Sequence, residues 1–459
     1  MAVSLEQGGS VTLVYGILVV VFTMGCTAAS MAELASVYPT AGGPYHWASI
    51  LAPKQYYKAI SYTCAALNIY GWLSICVGVT VQIGTFINGM RRFYNPSLDL
   101  PVWHEFLYYQ GTNIAILLYN IFALRRTKRI HDVGAVFSLA AFVAVLITCL
   151  ARADAFSSNS FVWTYFPSAD EAKIWHSHAL VFLTGMANPN FMYAGIDGAV
   201  HLAEECAGDA TKTVPRALLA TIAVGFITAF PFALAMLYCI SDVSGITDSI
   251  SGVPIYEIWH QATNSRTAAT VFITCILLIA LFALNACQEV ASRLTWAFAR
   301  DDALIGSRRL FSRIHGILQV PVWALIANAI VISIVGFVQL GSSTAFNAFV
   351  GSGLLLQQCS FAIPVALLMW RKRSGAILAG DRYFRLRGLL GWIANAVTVL
   401  FAGLTAVMYC FPVTLPVSGG TMNYTVAVVG VMAMFALLNW FVYARTRFEG
   451  PRLQEGFFY

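Results

Sequence analysis

From Leu180 to Glu205 the sequence reads LVFLTGMANPNFMYAGIDGAVHLAEE, a run apolar enough to cross a membrane. Its middle nevertheless carries Gly185, Asn188, Pro189 and Asn190, followed by Gly195 and Asp197. Proline removes a backbone donor and glycine tolerates unusual dihedrals, so a helix unwinds cheaply here. Unwinding frees N–H groups on one half-helix and carbonyls on the other. Backed by the half-helix dipoles, these groups can hold the carboxylate and ammonium ends of a small zwitterion. An unpaired amide in hydrocarbon costs several kcal/mol, so the stretch must line a cavity or be covered by protein. A plain proline kink with packed asparagines accounts for the same residues equally well.

Gly185, Asn188, Asn190, Phe191 and Tyr193 are therefore the candidate solute contacts. Asp197, a turn beyond, has two readings: it binds a solute amine or a proton, or it positions the helix by hydrogen bonding near Gly195 and Gly198. The positioning role weighs more. His201 reads as a capping or packing residue. Glu204 and Glu205 fall at the cytosolic end of the run, where inner-loop arginines, rather than a solute, are the expected partners.

A second polar helix lies in LFALNACQEVASRLTWAFARDDALIGS. Asn285, Gln288, Glu289, Ser292 and Arg293 are spaced by 3 or 4 and share a face. Such a stripe lines a watery path or bonds neighbouring helices together. Asn285 is expected on the pathway, and Glu289 with Arg293 as an i, i+4 pair. Asn68 and Tyr70, with Trp72 beside them, interrupt another apolar run, and Phe346 and Asn347 begin one marked by Gly351 and Gly353. These four (Asn68, Tyr70, Phe346 and Asn347) join the candidate contacts, although packing is the commoner use of such residues.

The elements that position these residues follow from composition. The 459 residues are 59% hydrophobic and 10% charged, with mean hydropathy +0.72; a soluble domain has about a quarter charged. Eleven apolar runs are long enough to span about 30 Å of hydrocarbon, at roughly 11–35, 58–88, 103–122, 133–151, 179–203, 217–240, 267–298, 320–339, 344–370, 389–411 and 424–444. They are continuously apolar rather than alternating, so they predict helices, not a β-barrel. The chain reads as one all-α polytopic membrane domain.

The ten cysteines lie almost all inside these runs with no paired spacing, and read as reduced core residues. The loops after the odd-numbered runs, with the C-terminal tail, hold 21 of the 27 Lys and Arg. That bias predicts a cytosolic C-terminus and, with eleven spans, an outside N-terminus. No G-x-x-x-x-G-K-[ST], H-E-x-x-H or G-x-S-x-G occurs, so ATP-driven pumping and enzymatic chemistry have no support. No cofactor, metal or nucleic-acid partner is expected.

ASMAELASVYPTAGGPYHWASILAP, Ala29 to Pro53, resembles the signature of the amino acid–polyamine–organocation permeases through Glu33, Pro39, Gly42, Gly43, Pro44, Tyr45 and Trp47. GIDGAVHLAEE followed by VPRAL, and SRLTWAFARDDAL with Arg300 and Asp301, are similar to the fungal GABA/choline permease branch. Ile305 and Gly306 depart from that branch, where a proline commonly follows the equivalent of Leu304.

The resemblance implies two inverted five-helix repeats plus two further helices, with the family's first helix missing here. The first repeat, incomplete, would cover about 11–152, the second about 179–370, and the extra helices about 389–444. It implies a secondary carrier of GABA, another amino acid or choline, with protons as the coupling ion. Glu33, Gly42, Gly43, Glu204, Glu289, Arg293, Arg300 and Asp301 would form its gating and structural frame. The plasma membrane is the expected location, with the vacuole or another endomembrane as alternatives. A non-transporting membrane sensor or scaffold, or an inactive truncated permease, is the competing reading.

Overall fold

Helices occupy the apolar runs. The computed structural model describes Leu5 and residues 8–127, 129–168, 174–206, 208–247 and 249–451, and among these residues there is no strand. In chain order, α1 is Gly9–Ala35, α2 Pro44–Leu51, α3 Tyr57–Tyr94, α4 Val102–Phe122, α5 Ile130–Arg152 and α6 Asn159–Thr164. The next run is divided into α7 (His178–Gly185), α8 (Ala187–Asn190) and α9 (Gly198–His201). There follow α10 (Ala210–Tyr238), α11 (Val243–Thr247), α12 (Pro254–Thr263), α13 (Arg266–Arg300) and α14 (Val322–Gly341). The last are α15 (Ser343–Trp370), α16 (Gly388–Met408), α17 (Thr425–Asn439) and α18 (Arg445–Arg447).

Side-chain caps set several boundaries. Ser265 accepts from the Ala268 N–H and Ser342 from the Ala345 N–H, satisfying donors that a first turn leaves unpaired. Asp209 caps α10 in the same way through Thr211. That helix therefore begins at Ala210 rather than near 217, and takes Pro215 inside it. At its far end α3 runs on past 88, carrying Arg91 and Arg92 in its last turn, where cations suit the exposed carbonyls.

Among the described residues, nine helical stretches are long and apolar enough to cross a membrane: α1, α3, α5, α10, α13, α14, α15, α16 and Thr425–Arg447. The other two expected spans are α4, which carries His104, Glu105, Gln110 and Asn113, and the divided run 178–201. Burial separates centre from rim. In α3 and α15, 72% and 67% of the most apolar stretch is buried, against 11% in α10 and in the α17 stretch. The rim helices accordingly turn Ile227, Phe435 and Leu438 outward, where lipid is the solvent. At the centre α3 packs on α2, α13 and α15, while α1 packs on α10 and α16.

Hydrogen bonds between loops define two ends. At one end Ser36 donates to the Phe384 carbonyl, the Ala41 N–H to Glu204, Arg125 to the Ile317 carbonyl, and Asn439 to the Ala303 carbonyl. At the other, Ser10 donates to Phe161, Trp175 to Pro412 and Thr344 to Gly420. The first group contains the arginine-rich loops, so the charge bias marks it as the cytosolic end; it is called the basic end below. Lys128, Lys173 and Arg452, which entered that charge bias, lie outside the described residues.

Candidate functional site

The break in the divided run lies at residues 194–197. Unwinding between 185 and 193, as the proline and asparagines suggest, is not what the chain does. Asn190 N–H bonds the Met186 carbonyl at 3.1 Å, and Phe191–Tyr193 tighten into a 3₁₀ turn. Ala194 then turns to ψ 130° and Gly195 to φ +76°. The reason is conformational: Pro189 fits within the short α8, whereas a positive φ needs the later glycine. A Cβ on Gly195 would also stand 2.7 Å from Trp72 Cη2, so two constraints select glycine.

Gln357 on α15 takes the Gly195 N–H on its Oε1 at 2.9 Å, so this amide is paired in the membrane interior. Asp197 is fully buried. Its Oδ2 accepts from Asn68 Nδ2 at 2.8 Å and from Trp72 Nε1 at 3.4 Å, and lies 2.9 Å from His201 Nε2. Its Oδ1 has no partner among the described residues. Asn68 Nδ2 also reaches Ser360 Oγ at 3.0 Å. Asp197 thus holds α9 against α3 by hydrogen bonds, and still has one oxygen to offer.

Cavities lie on both sides of this layer. Toward the end opposite the basic one, a cavity of about 390 Å³ is lined by Thr184, Ala187, Phe191, Asn347 and Tyr409. Beside it Asn190 Nδ2 donates to the Tyr409 hydroxyl at 3.0 Å. Toward the basic end, a cavity of about 300 Å³ is lined by Ala41, His201, Glu204, Glu205, Arg293 and Trp296.

The expected contacts divide accordingly. Asp197 and Asn68 meet at the break, while Phe191 and Asn347 line the larger cavity. Gly185 is buried and Asn188 half-buried on the helical half of the run. Tyr193 instead donates to the Ile222 carbonyl at 2.8 Å and fixes the run to α10. Phe346 packs edge-on against Tyr109 with ring centres 6.1 Å apart. Tyr70 faces a separate apolar cavity against α17.

Asn285, expected on a pathway, accepts from Asn120 at 3.0 Å, and Gln288 donates to Asn113 at 2.9 Å. The asparagines of α4 stand opposite this part of the α13 stripe, which therefore bonds two helices together. Trp72, named with Asn68 and Tyr70 as interrupting its run, meets Asp197 here, whereas His201, Gln357, Ser360 and Tyr409 lie beside the break and were not among the expected contacts. Trp72 follows Asn68 by four residues on one face, and Gln357 interrupts LLLQQCS; both are readable signals.

Ion pairs close the basic end. Arg300 binds Glu204 through two bonds, 2.9 and 3.1 Å, and Arg293 binds Glu205 at 2.7 Å. Arg293 also meets Glu289 at 3.4 Å, and Glu289 meets His131 at 2.7 Å. The i, i+4 pair is as expected, and Glu204 takes Arg300 at the loop end of α13, whereas Glu205 takes Arg293 within the helix rather than a loop arginine. Burial would raise the Glu204 carboxyl, but the Arg300 bonds and charge and the Ala41 N–H hold it below its ordinary value. Asp301 accepts from Tyr45 Oη at 2.9 Å and lies 3.1 Å from His46 Nε2.

Glu33, also fully buried, pairs with Arg373 at 2.6 Å and Arg382 at 2.7 Å. The turn at Gly42 and Gly43 lies against α9: Gly43 takes φ +51°, and a Cβ there would stand 2.8 Å from Val200 Cγ1.

Comparison with known proteins agrees with this architecture. The family described as Amino acid permease matches residues 1–433. A choline transporter of Saccharomyces cerevisiae is 30% identical, over 96% of this chain and 76% of that protein. The 7-keto 8-aminopelargonic acid transporter of the same yeast is 25% identical, over 94% and 86%. Amino-acid permease BAT1 of Arabidopsis thaliana is 27% identical, over 97% and 87%. With its apolar helices, its divided run and this match over most of its length, the chain is a multi-pass membrane transporter rather than an enzyme, and belongs to the amino acid permease family.

Proposed function

We propose that this permease is a secondary carrier of a small amine-bearing solute, GABA, another amino acid or choline, and that its uptake is coupled to protons. One observation carries the reading: Asp197 Oδ1 is a buried carboxylate oxygen with no partner among the described residues, at a break in a membrane helix whose two sides line separate cavities. Intramembrane acids have a partner or a task; Oδ2 has its partners in Asn68, Trp72 and His201, and Oδ1 remains to accept a hydrogen bond from a solute ammonium. The relatives named for choline, amino acids and 7-keto 8-aminopelargonic acid support a nitrogen-bearing solute.

In this reading Asn188, Asn190, Phe191, Asn347 and Asn68 surround the solute, with Gly185 allowing close approach. The pairs of Glu204, Glu205 and Glu289 with arginine close the cytosolic side. Residues of about 11–152 and 179–370 form the two inverted repeats, and the plasma membrane is the site of action. The test is uptake of labelled GABA, choline and amino acids by a host lacking its own permeases. Saturable uptake of one of them, abolished by Asp197→Asn at unchanged expression, is the expected result. Undiminished uptake by that variant would overturn the role given to Asp197.

A further inference from the structure

The geometry around His201 fixes a proton. His201 Nδ1 lies 2.7 Å from the Ala41 carbonyl oxygen, which can only accept, so Nδ1 carries hydrogen. Nε2 lies 2.9 Å from Asp197 Oδ2, and two such atoms at that distance share a hydrogen. The dyad therefore holds one proton more than a carboxylate with a neutral ring. Two further N–H donors on Asp197 Oδ2, from Asn68 and Trp72, favour the imidazolium–carboxylate form. Both side chains are fully buried.

The surrounding groups do not account for that proton. On α3 the dyad faces Cys64, Asn68 and Trp72, and on α15 Gln357 and Ser360, none of them cationic. On its own segment, Glu204 and Glu205 are paired with Arg300 and Arg293 of α13, and Arg293 also with Glu289. On α2, His46 meets Asp301. On α10, Lys212 pairs with Asp209 and Arg216 bonds Tyr383.

We propose that the Asp197–His201 dyad carries the coupled proton and releases it toward the basic end when His201 parts from Ala41. This deepens the carrier reading above and rests on it. While the Ala41 carbonyl holds Nδ1–H, that hydrogen is committed to a protein acceptor. The Ala41 N–H in turn is held by Glu204, which Arg300 clamps, so opening that clamp frees the turn. Ala41 and His201 both line the basic-end cavity. Once they separate, Nδ1 transfers its proton to a cavity water, giving hydronium. The neutral ring that remains keeps hydrogen on Nε2 and still donates to the Asp197 carboxylate, so the helix stays positioned after release.

The chain reconstituted in liposomes with a trapped pH dye tests this, using labelled GABA, labelled choline and a labelled amino-acid mixture as probes. Exchange of labelled for unlabelled solute reports the carrier, and acidification during net uptake reports the proton. The expected result is both signals in the wild type, and in His201→Gln loss of acidification per solute taken up, whatever rate of exchange remains. Solute-driven acidification persisting in His201→Gln, or in His201→Asn if the first does not reach the membrane, overturns the dyad as proton carrier. Wild-type uptake without acidification overturns it too, together with proton coupling, while leaving solute carriage itself intact. Absence of exchange in the wild type sinks the carrier reading and the dyad together.

Discussion

Glu204 shows opposed forces at a single residue. Burial disfavours its charge, yet Arg300 and the Ala41 N–H keep its pKa below normal. A carboxyl depressed in the folded state contributes stability above its unfolded value, near 4.3, and loses it as pH falls through the lower folded value. Thermal melts of wild type and Glu204→Gln should therefore differ by a constant amount at neutral pH, begin to converge as pH falls past about 4.3, and meet only below the lower folded value. A gap that persists in acid contradicts the assignment. Gly195→Ala tests the break: a non-glycine residue at φ +76° costs about 1–3 kcal/mol, and its Cβ meets Trp72 as well. The expected outcome is a lowered melting temperature, and a melt unchanged from wild type would show that the turn relaxes freely. Asp197, Asn68 and the paired glutamates were legible because a polar residue in an apolar run stands out. The contact of His201 with Ala41 was not, since it joins residues 160 apart and uses a backbone carbonyl that no side chain announces.

Element positions were legible to a few residues wherever hydropathy changes sharply, as at the two ends of α15. They were less so where polar chemistry overrides it. The cap of Asp209 lengthens α10, and Gly195 rather than Pro189 sets the break. The stripe of α13 was visible, but its direction was not, because the asparagines opposite it belong to α4. Glu33 gives a prediction at this scale, since it ties the end of α1 to the loop between α15 and α16. Removing one member of a buried ion pair costs about 3–5 kcal/mol, so Glu33→Gln should lower the melting temperature strongly. The exposed Lys212→Ala, whose pair lies in water, should change it little. Equal effects of the two would show that burial at Glu33 contributes nothing.

For the whole molecule, the charge count and the loop contacts group the same segments at one end. That agreement sets an accessibility prediction. With native thiols blocked beforehand, Ser374→Cys on the basic end should react with a membrane-impermeant reagent only from the cytosolic side. Asn347→Cys, lining the larger cavity, should react only from the other side. Labelling of both from the same side contradicts the arrangement; Ser4, at the terminus expected outside, lies beyond the described residues. How the helices surround the Asp197 layer was beyond sequence reading, because it depends on α3, α9 and α15 meeting across more than 100 residues of chain.

The Glu33 pairs also bear on how the protein is made. Glu33 Oε2 finds Arg373 Nη2 340 residues further along the chain, and Oε1 finds Arg382 349 residues along. A ribosome adding about 5–20 residues per second needs roughly 20–70 s to cover that interval. Throughout it, the end of α1 carries a carboxylate whose partners have not yet been synthesised. The acid must wait in water at the cytosolic surface, and it becomes enclosed only when the loop before α16 emerges. Assembly of the cytosolic face is thus a late event in biosynthesis, completed after most of the helices are already in the bilayer.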